Sequence, residues 1–223
     1  MRRAAFRLYL ITDDELAEAD LISIADRVLA AADGSGEVAL QLRNKRMDAN
    51  GLLTLARKLR RLCDRHGAAL FINDRIDVAI ASGADGVHLP AAGIPPADAR
   101  RMTGESMLIG VSTHDRPDVD RAAAAGAHFV VYGPIFAPIS KADGFAPARG
   151  VESLKQVCGN ATIPIYALGG ITAARIADLR GSGAAGVAAI GAIFRSPNPE
   201  AAVREMLQAV AGEIAGPASG NQV

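Results

Sequence analysis

The chain is predicted to fold as an α/β protein, a single-domain (β/α)8 TIM barrel, and three observations carry that prediction. Short apolar runs alternate with stretches whose apolar residues recur at helical spacing. Counting both kinds gives eight strands and eight helical segments, the alternation of a closed parallel barrel. One phrase also recurs: Gly83-Ala84-Asp85-Gly86-Val87, Gly126-Ala127-His128-Phe129-Val130 and Gly183-Ala184-Ala185-Gly186-Val187 each stop a helix on glycine and begin a strand at once. Such repetition points to one supersecondary unit used many times.

The elements follow in order. Phe6 to Ile11 reads as a first strand and leads into the acidic turn Thr12-Asp13-Asp14. Leu21, Ile24, Ala25, Val28 and Ala32 mark a helix from Asp20 to Ala32, stopped by Asp33-Gly34-Ser35-Gly36. The second strand, Val38-Ala39-Leu40-Gln41-Leu42-Arg43-Asn44-Lys45, is unusual. Alternation puts Leu40 and Leu42 on one face and Gln41, Arg43 and Lys45 on the other. A strand covered on both sides should be apolar throughout, so polar groups at its C-terminal end imply a ligand there, or else an exposed edge strand.

Leu52, Leu55, Ala56, Leu59 and Leu62 form the buried stripe of the next helix. Arg57, Lys58, Arg60, Arg61 and Arg65 lie mostly off it, as the wet side of an outer helix. Further units are a strand Ala69 to Ile72 with a short helix from Ile76, a strand begun by Gly86-Val87, and Leu108 to Ser112 with helix Pro117 to Ala125. Then come Phe129 to Tyr132 with Val151 to Cys158, Ile163 to Leu168 with Ala173 to Leu179, and Val187 to Ile190 with Pro199 to Ala211. Residues 1–212 are expected to form the barrel, and 213–223, rich in Gly, Ser and Pro, a loose tail.

Composition excludes several functions. Among 223 residues, 24 Lys plus Arg balance 24 Asp plus Glu, so no net field draws the chain to nucleic acid or an anionic membrane. Any anion site must be local. The apolar run near the N-terminus is too short for a signal peptide and lacks a small-residue cleavage site, and no stretch is long enough to span a bilayer. Cys63 and Cys158 show no metal-ligand spacing, and two buried thiols in a reducing cytoplasmic setting are expected.

Active sites of such barrels gather in the loops after the strands, so strand ends form the census. They supply Gln41, Arg43 and Lys45, then Asn73 and Asp74, His88, Ser112 with His114, the long loop from Gly133 to Asp143, Gly169-Gly170, and Gly191-Ala192. Two anion sites follow. Gly169-Gly170 and Gly191-Ala192, each before a helix on the last two strands, suit a phosphate held by bare backbone N–H groups. Arg43, Lys45 and Lys141 suit a pyrophosphate, with Asp74 available to hold Mg²⁺ against it. Plainer readings stand beside these: Arg43 paired with Asp74 on the rim, Lys141 solvated, His88 a core histidine bonded to backbone, and Ser112 satisfying a strand end. His114 and His128 read as surface or helix-end residues.

The chain resembles the thiamine phosphate synthase family, within the wider group that includes the TenI-type thiazole tautomerases. The likeness runs from Leu8-Tyr9-Leu10-Ile11-Thr12-Asp13 to Ala192-Ile193-Phe194. It is carried by Gln41-Leu42-Arg43-Asn44-Lys45, Ile72-Asn73-Asp74-Arg75, Gly86-Val87-His88-Leu89, Gly110-Val111-Ser112-Thr113-His114, Gly133-Pro134-Ile135-Phe136 and Gly169-Gly170-Ile171-Thr172. The resemblance implies condensation of 4-amino-5-hydroxymethyl-2-methylpyrimidine diphosphate with thiazole phosphate to give thiamine phosphate and pyrophosphate. It further implies that Gln41, Ser112 and His88 line the pyrimidine pocket, while Arg43, Lys45, Asn73 and Lys141 hold the diphosphate. Asp74 would hold Mg²⁺. Gly169, Gly170, Gly191 and Ala192, with Ser140 in the loop, would hold the thiazole phosphate. The implied partners are these small molecules, with no nucleic acid or membrane, and a homodimer is left open.

Two departures stand out. After His88 the family continues Gly-Gln-x-Asp, the aspartate being a second Mg²⁺ ligand, whereas this chain reads Leu89-Pro90-Ala91-Ala92-Gly93, with Gly93 at the carboxylate position. The threonine-rich run before the loop lysine is replaced by Pro138-Ile139-Ser140-Lys141. A Leu-Pro after the fourth strand resembles the TenI side; Asp74, Lys45 and Lys141, and Pro134 where those tautomerases carry histidine, favour the synthase. A barrel that binds phosphate without turnover is the third reading.

Overall fold

The computed structural model describes residues 4–32, 36–137 and 147–214. Eight parallel strands close a barrel in sequence order: β1 (Leu8–Ile11), β2 (Val38–Leu42), β3 (Ala69–Asn73), β4 (Gly86–Leu89), β5 (Leu108–Thr113), β6 (Phe129–Tyr132), β7 (Ile165–Leu168) and β8 (Gly186–Ala189). Closure is made by β1 against β8, with Leu8 opposite Val187 and Tyr9 opposite Ala188. The barrel is the fold the alternation predicts. With β2 paired on both sides, the edge-strand reading of its polar residues falls away.

The outer ring comprises α1 (Glu18–Ala31), α2 (Ala49–His66), α3 (Ile76–Ser82), α4 (Pro96–Thr103), α5 (Arg116–Ala124), α6 (Gly150–Cys158), α7 (Ala173–Ile176, continued by a 3-10 turn over Ala177–Leu179), α8 (Gly191–Phe194) and α9 (Pro199–Glu213). Helix α4 had no periodic signature, because Ala99 is its one buried residue. Helix α9 outruns the predicted end at Ala211, and Ile214 beyond it is buried. Residues 215–223, most of the expected tail, lie outside the described residues. No helix among the described residues is long and apolar enough to cross a membrane.

The recurring glycines do what helix ends require. Gly83, Gly126 and Gly183 sit at φ of 67°, 86° and 79°, a left-handed turn that side chains resist. Polar residues off the α2 stripe are largely paired at the surface: Lys58 with Glu18 at 2.8 Å, and both Arg65 and His66 with Asp26.

The apolar interior divides into two. Leu40, Leu42, Leu70, Ile72, Val87 and Val130 face outward onto the helices. Tyr9, Phe71, Phe129 and Tyr166 face inward, with Phe6 beneath them. Phe6 precedes β1 rather than belonging to it, and its ring stacks on Tyr166 and Tyr9 at 4.7 and 5.2 Å. Three inward rings take their room from glycines on the neighbouring strand: Phe71 is in register with Gly86, Phe129 with Gly110, and Tyr166 with Gly186. A Cβ added at Gly86 or Gly110 would lie 2.2 Å from Phe71 Cε1 or 2.3 Å from Phe129 Cζ. The lower barrel is therefore filled to contact density, and any ligand must enter from the C-terminal end.

Candidate active site at the barrel mouth

Directly above the aromatic layer the inward positions become polar. Gln41 and His88 are buried, at 1% and 2% exposure, and Ser112 is half-buried. They are joined through Tyr9: Gln41 Nε2 donates to the Tyr9 hydroxyl at 3.0 Å, that hydroxyl lies 3.4 Å from His88 Nδ1, and His88 Nε2 lies 2.9 Å from Ser112 Oγ. Burial pushes His88 down to about 3, so the imidazole is neutral at any ordinary pH. Burial also pushes the Tyr9 hydroxyl well above its usual value, opposed in part by the Gln41 hydrogen bond. His88 is thus a core histidine, but one bonded to side chains of a continuous network and not to backbone.

The turn after β1 organises one wall. Thr12, fully buried, accepts from the Arg43 N–H at 2.9 Å and donates to the Arg43 carbonyl at 3.1 Å, which fixes the strand end that carries Arg43. The Arg43 guanidinium lies 3.5 Å from Asp14 Oδ2, so its partner is the turn after β1 and not Asp74, which the plainer reading had offered. Asp13 is buried and receives a hydrogen bond from Arg195, just beyond α8. Burial alone would raise the Asp13 carboxyl; hydrogen bonds from Arg195 and the Glu15 N–H, with the charges of Arg195 and Arg43, hold it below its ordinary value.

Leu42 pairs with Ile72, so Arg43 and Asn73 leave the barrel side by side. Asp74 follows, exposed, in a left-handed conformation at φ 65°, the one non-glycine with positive φ among the described residues. Its N–H is tied to the His88 carbonyl at 2.8 Å. Lys45 is exposed on the same rim. Lys141 and Ser140 lie outside the described residues, so the meeting of Lys141 with Arg43 and Asp74 stays an expectation.

Gly169 and Gly170 lie on the opposite wall at φ 103° and 61°. The β6 loop crosses directly over them: Ile135 and Phe136 donate to the carbonyls of Leu168 and Gly169 at 2.8 and 3.1 Å, and a Cβ on Gly170 would lie 2.6 Å from the Ala137 carbonyl. Arg175 secures this crossing, donating to the Gly170 carbonyl at 2.9 Å with its guanidinium over the Phe136 ring. Among the described residues, no hydrogen bond engages the N–H groups of Gly170, Gly191 or Ala192.

Among the described residues no group of three or more His, Cys, Asp or Glu side chains could hold a metal ion. Gly93 closes a turn onto the Pro90 carbonyl at 2.9 Å, and Asp98 is engaged by Arg101 on the same helix. Asp14 faces Arg43 and Asp13 faces Arg195, so Asp74 is the carboxylate that this part of the rim could offer a diphosphate-bound Mg²⁺. That is a sufficient protein share for an ion that commonly keeps water and substrate phosphate as its other ligands.

Sequence reasoning missed Tyr9, Thr12, Asp13, Arg175 and Arg195. Tyr9 was recoverable, since a tyrosine on the inward register of a barrel strand needs a partner for its hydroxyl. Arg175 and Arg195 left no such signal. His128 is buried rather than superficial, accepting from the Ile109 N–H at 3.0 Å, whereas His114 is exposed as expected.

A closed parallel barrel, plugged below and polar at the mouth into which its strands open, defines an enzyme of the (β/α)8 class with its candidate active site at the C-terminal rim. The chain belongs to the thiamine monophosphate synthase family, whose model matches residues 8–193. A thiamine-phosphate synthase of Methanoculleus marisnigri is 40% identical over 92% of this chain and 96% of its own length. Another, of Albidiferax ferrireducens, is 38% identical over 94% and 95%. A solved thiamine phosphate pyrophosphorylase from Pyrococcus furiosus superposes with a TM-score of 0.82 at 26% identity, covering 95% of this chain and 98% of that one. Membership makes the chain a transferase of thiamine biosynthesis.

Proposed function

We propose that the enzyme joins 4-amino-5-hydroxymethyl-2-methylpyrimidine diphosphate to thiazole phosphate, giving thiamine phosphate and pyrophosphate. The observation that carries the reading is the pairing, on one strand, of Gln41 in the buried polar floor with Arg43 clamped by Thr12 just above it. A flat heterocycle on that floor would project its methylene diphosphate toward Arg43.

In the reaction the methylene C–O bond to diphosphate breaks and a C–N bond to the thiazole nitrogen forms. Departure leaves an electron-rich pyrimidine cation, so the protein has mainly to neutralise the leaving group and place the thiazole nitrogen, with no protein nucleophile. Arg43, Lys45, Asn73 and Lys141 hold the diphosphate. Gln41, His88 and Ser112 set the pyrimidine. The N–H groups of Gly170, Gly191 and Ala192, unengaged among the described residues, take the thiazole phosphate with Gly169 in the turn and Ser140 in the loop. Asp74 would hold Mg²⁺, which when bound supplies charge neutralisation at the diphosphate. Cys63 and Cys158, both pushed up to about 12 by burial, remain thiols and suit a reducing cytoplasmic setting.

The test supplies both substrates and follows pyrophosphate release. Release dependent on both supports the synthase. Thiazole isomerisation without release would indicate the tautomerase, and tight phosphate binding without turnover a regulatory barrel. With a single carboxylate at the metal, synthesis is expected to need Mg²⁺ at millimolar rather than micromolar levels, read from a Mg²⁺ titration.

A further inference from the structure

We infer that Asp13 is a positioning residue that acts through Arg195: the pair fixes the Gly191–Ala192 turn against the turn after β1, and so sets the spacing between two walls of the mouth. The fixing of the turn is a matter of geometry; that the turn takes a phosphate rests on the proposed reaction.

Backbone pairing between β1 and β8 reaches Leu10 opposite Ala189 and goes no further. Beyond it the chain leaves β8 through Ile190 and winds a single helical turn over Gly191–Phe194, too short to hold its own direction. Among the described residues the next polar links across this seam come from one side chain. Arg195 Nε donates to Asp13 Oδ2, and the same guanidinium lies 3.0 Å from Glu15 Oε2.

Arg195 is bound to the turn twice. Its N–H donates to the Gly191 carbonyl at 3.1 Å, closing α8, and its side chain then folds back across Gly191, with Cδ and Nε 3.7 and 3.9 Å from the place a Cβ would take there. The face of Gly191 is thus covered by the arm that Asp13 holds.

Asp13 is itself held firmly. It is 3% exposed, its Oδ1 accepts from the Glu15 N–H at 3.1 Å, and the Thr12 N–H before it donates to the Gln41 carbonyl at 3.0 Å. Its neighbours Thr12 and Asp14 engage Arg43 by hydrogen bond and ion pair. The stretch from Thr12 to Glu15 therefore grips Arg43 on one side and Arg195 on the other. An apolar contact would seal the seam as well, since an ion pair taken out of water adds little net stability. What a carboxylate with both oxygens engaged adds is direction.

Asp13→Asn keeps the shape and removes the charge. In amide hydrogen exchange the Phe194 and Arg195 N–H groups, bonded to the Ile190 and Gly191 carbonyls at 3.0 and 3.1 Å, should exchange about fivefold faster or more, with Val187 in β8 unchanged. Unchanged exchange in α8, or a rise shared equally by Val187, would overturn the inference whatever the enzyme's activity. In steady state the KM for thiazole phosphate should rise about fivefold, while kcat and the KM for the pyrimidine diphosphate stay within about twofold, because Thr12 and Asp14 still hold Arg43. A loss spread over all three would mean a merely structural role, and a lower KM for thiazole phosphate would mean that the released Arg195 binds phosphate itself; either result overturns the inference. Arg195→Ala, a change at a half-exposed side chain, should give the same exchange pattern, and it carries the test if Asp13→Asn does not fold. If neither substrate is turned over, the proposed reaction fails, while exchange in α8 still decides the positioning.

Discussion

The two halves of the barrel interior are filled from the same strands by opposite kinds of chemistry. In the lower half, rings sit over glycines, Phe71 over Gly86 and Phe129 over Gly110, and the constraint is volume. Two residues further along the inward register, Gly86 is followed by His88 and Gly110 by Ser112, and the constraint becomes the direction of hydrogen bonds. The lower half should tolerate a change of chemistry at constant volume but not a change of volume. The upper half should behave the other way round.

The largest effect belongs to the mouth. Arg43→Ala should lower the rate of pyrophosphate release by about 100-fold, the scale expected when a donor to developing charge is removed. Its thermal midpoint should move by no more than about 2 °C, because the ion pair with Asp14 is partly exposed and spans 3.5 Å. Near-normal synthesis in this variant would separate the mouth from the diphosphate. In the plug the response is inverted. Gly110→Ala would place a methyl 2.3 Å from Phe129 Cζ, and the overpacking should cost about 1–3 kcal/mol in urea unfolding. Adding Phe129→Leu should return part of that loss; no loss in the single variant would mean that volume is not what fills the lower barrel.

This division also explains what could be read from the chain. Strand order, the helix-stopping glycines and the polar end of β2 were legible because each is a local pattern: alternation, a left-handed cap, a donor in an apolar run. The ring-over-glycine pairs were not, since Phe71 and Gly86 are neighbours through barrel register alone. The plainer reading paired Arg43 with Asp74 on the rim, but Thr12 and Asp14 from the turn after β1 are the groups that engage it. Closure brings the last element to the first in the same way, so the Arg195–Asp13 contact, 182 residues apart in the chain, had no sequence trace.

The polar half should also reveal itself through pH. His88 is lowered by burial to about 3 against an ordinary 6.5. The unfolded chain takes up that proton below about 6.5, and the folded chain does not until near 3. Stability contributed by the neutral ring is therefore whole above the upper value and declines as pH falls through the window, by up to about 1.4 kcal/mol per pH unit. Urea unfolding at pH 7 and pH 5 should show a smaller difference in His88→Asn than in wild type. Equal slopes would mean that the ring is not held neutral and dry.

The smallest expected effect marks where the mouth ends. Asp98 is the carboxylate nearest in sequence to Gly93, but it lies in the first turn of α4 and is bound by Arg101 three residues on. A carboxylate there is worth a few tenths of a kcal/mol as a first-turn anion and surface pair. Arg101 already holds one of its oxygens from the same helix, which leaves it a poor candidate for a diphosphate-bound ion beside Asp74. Asp98→Asn should accordingly leave the Mg²⁺ concentration at half-maximal rate unchanged within about twofold, with stability lowered by about 0.5 kcal/mol or less. A several-fold rise in the Mg²⁺ requirement would extend the mouth onto α4 and give the metal a second protein carboxylate after all.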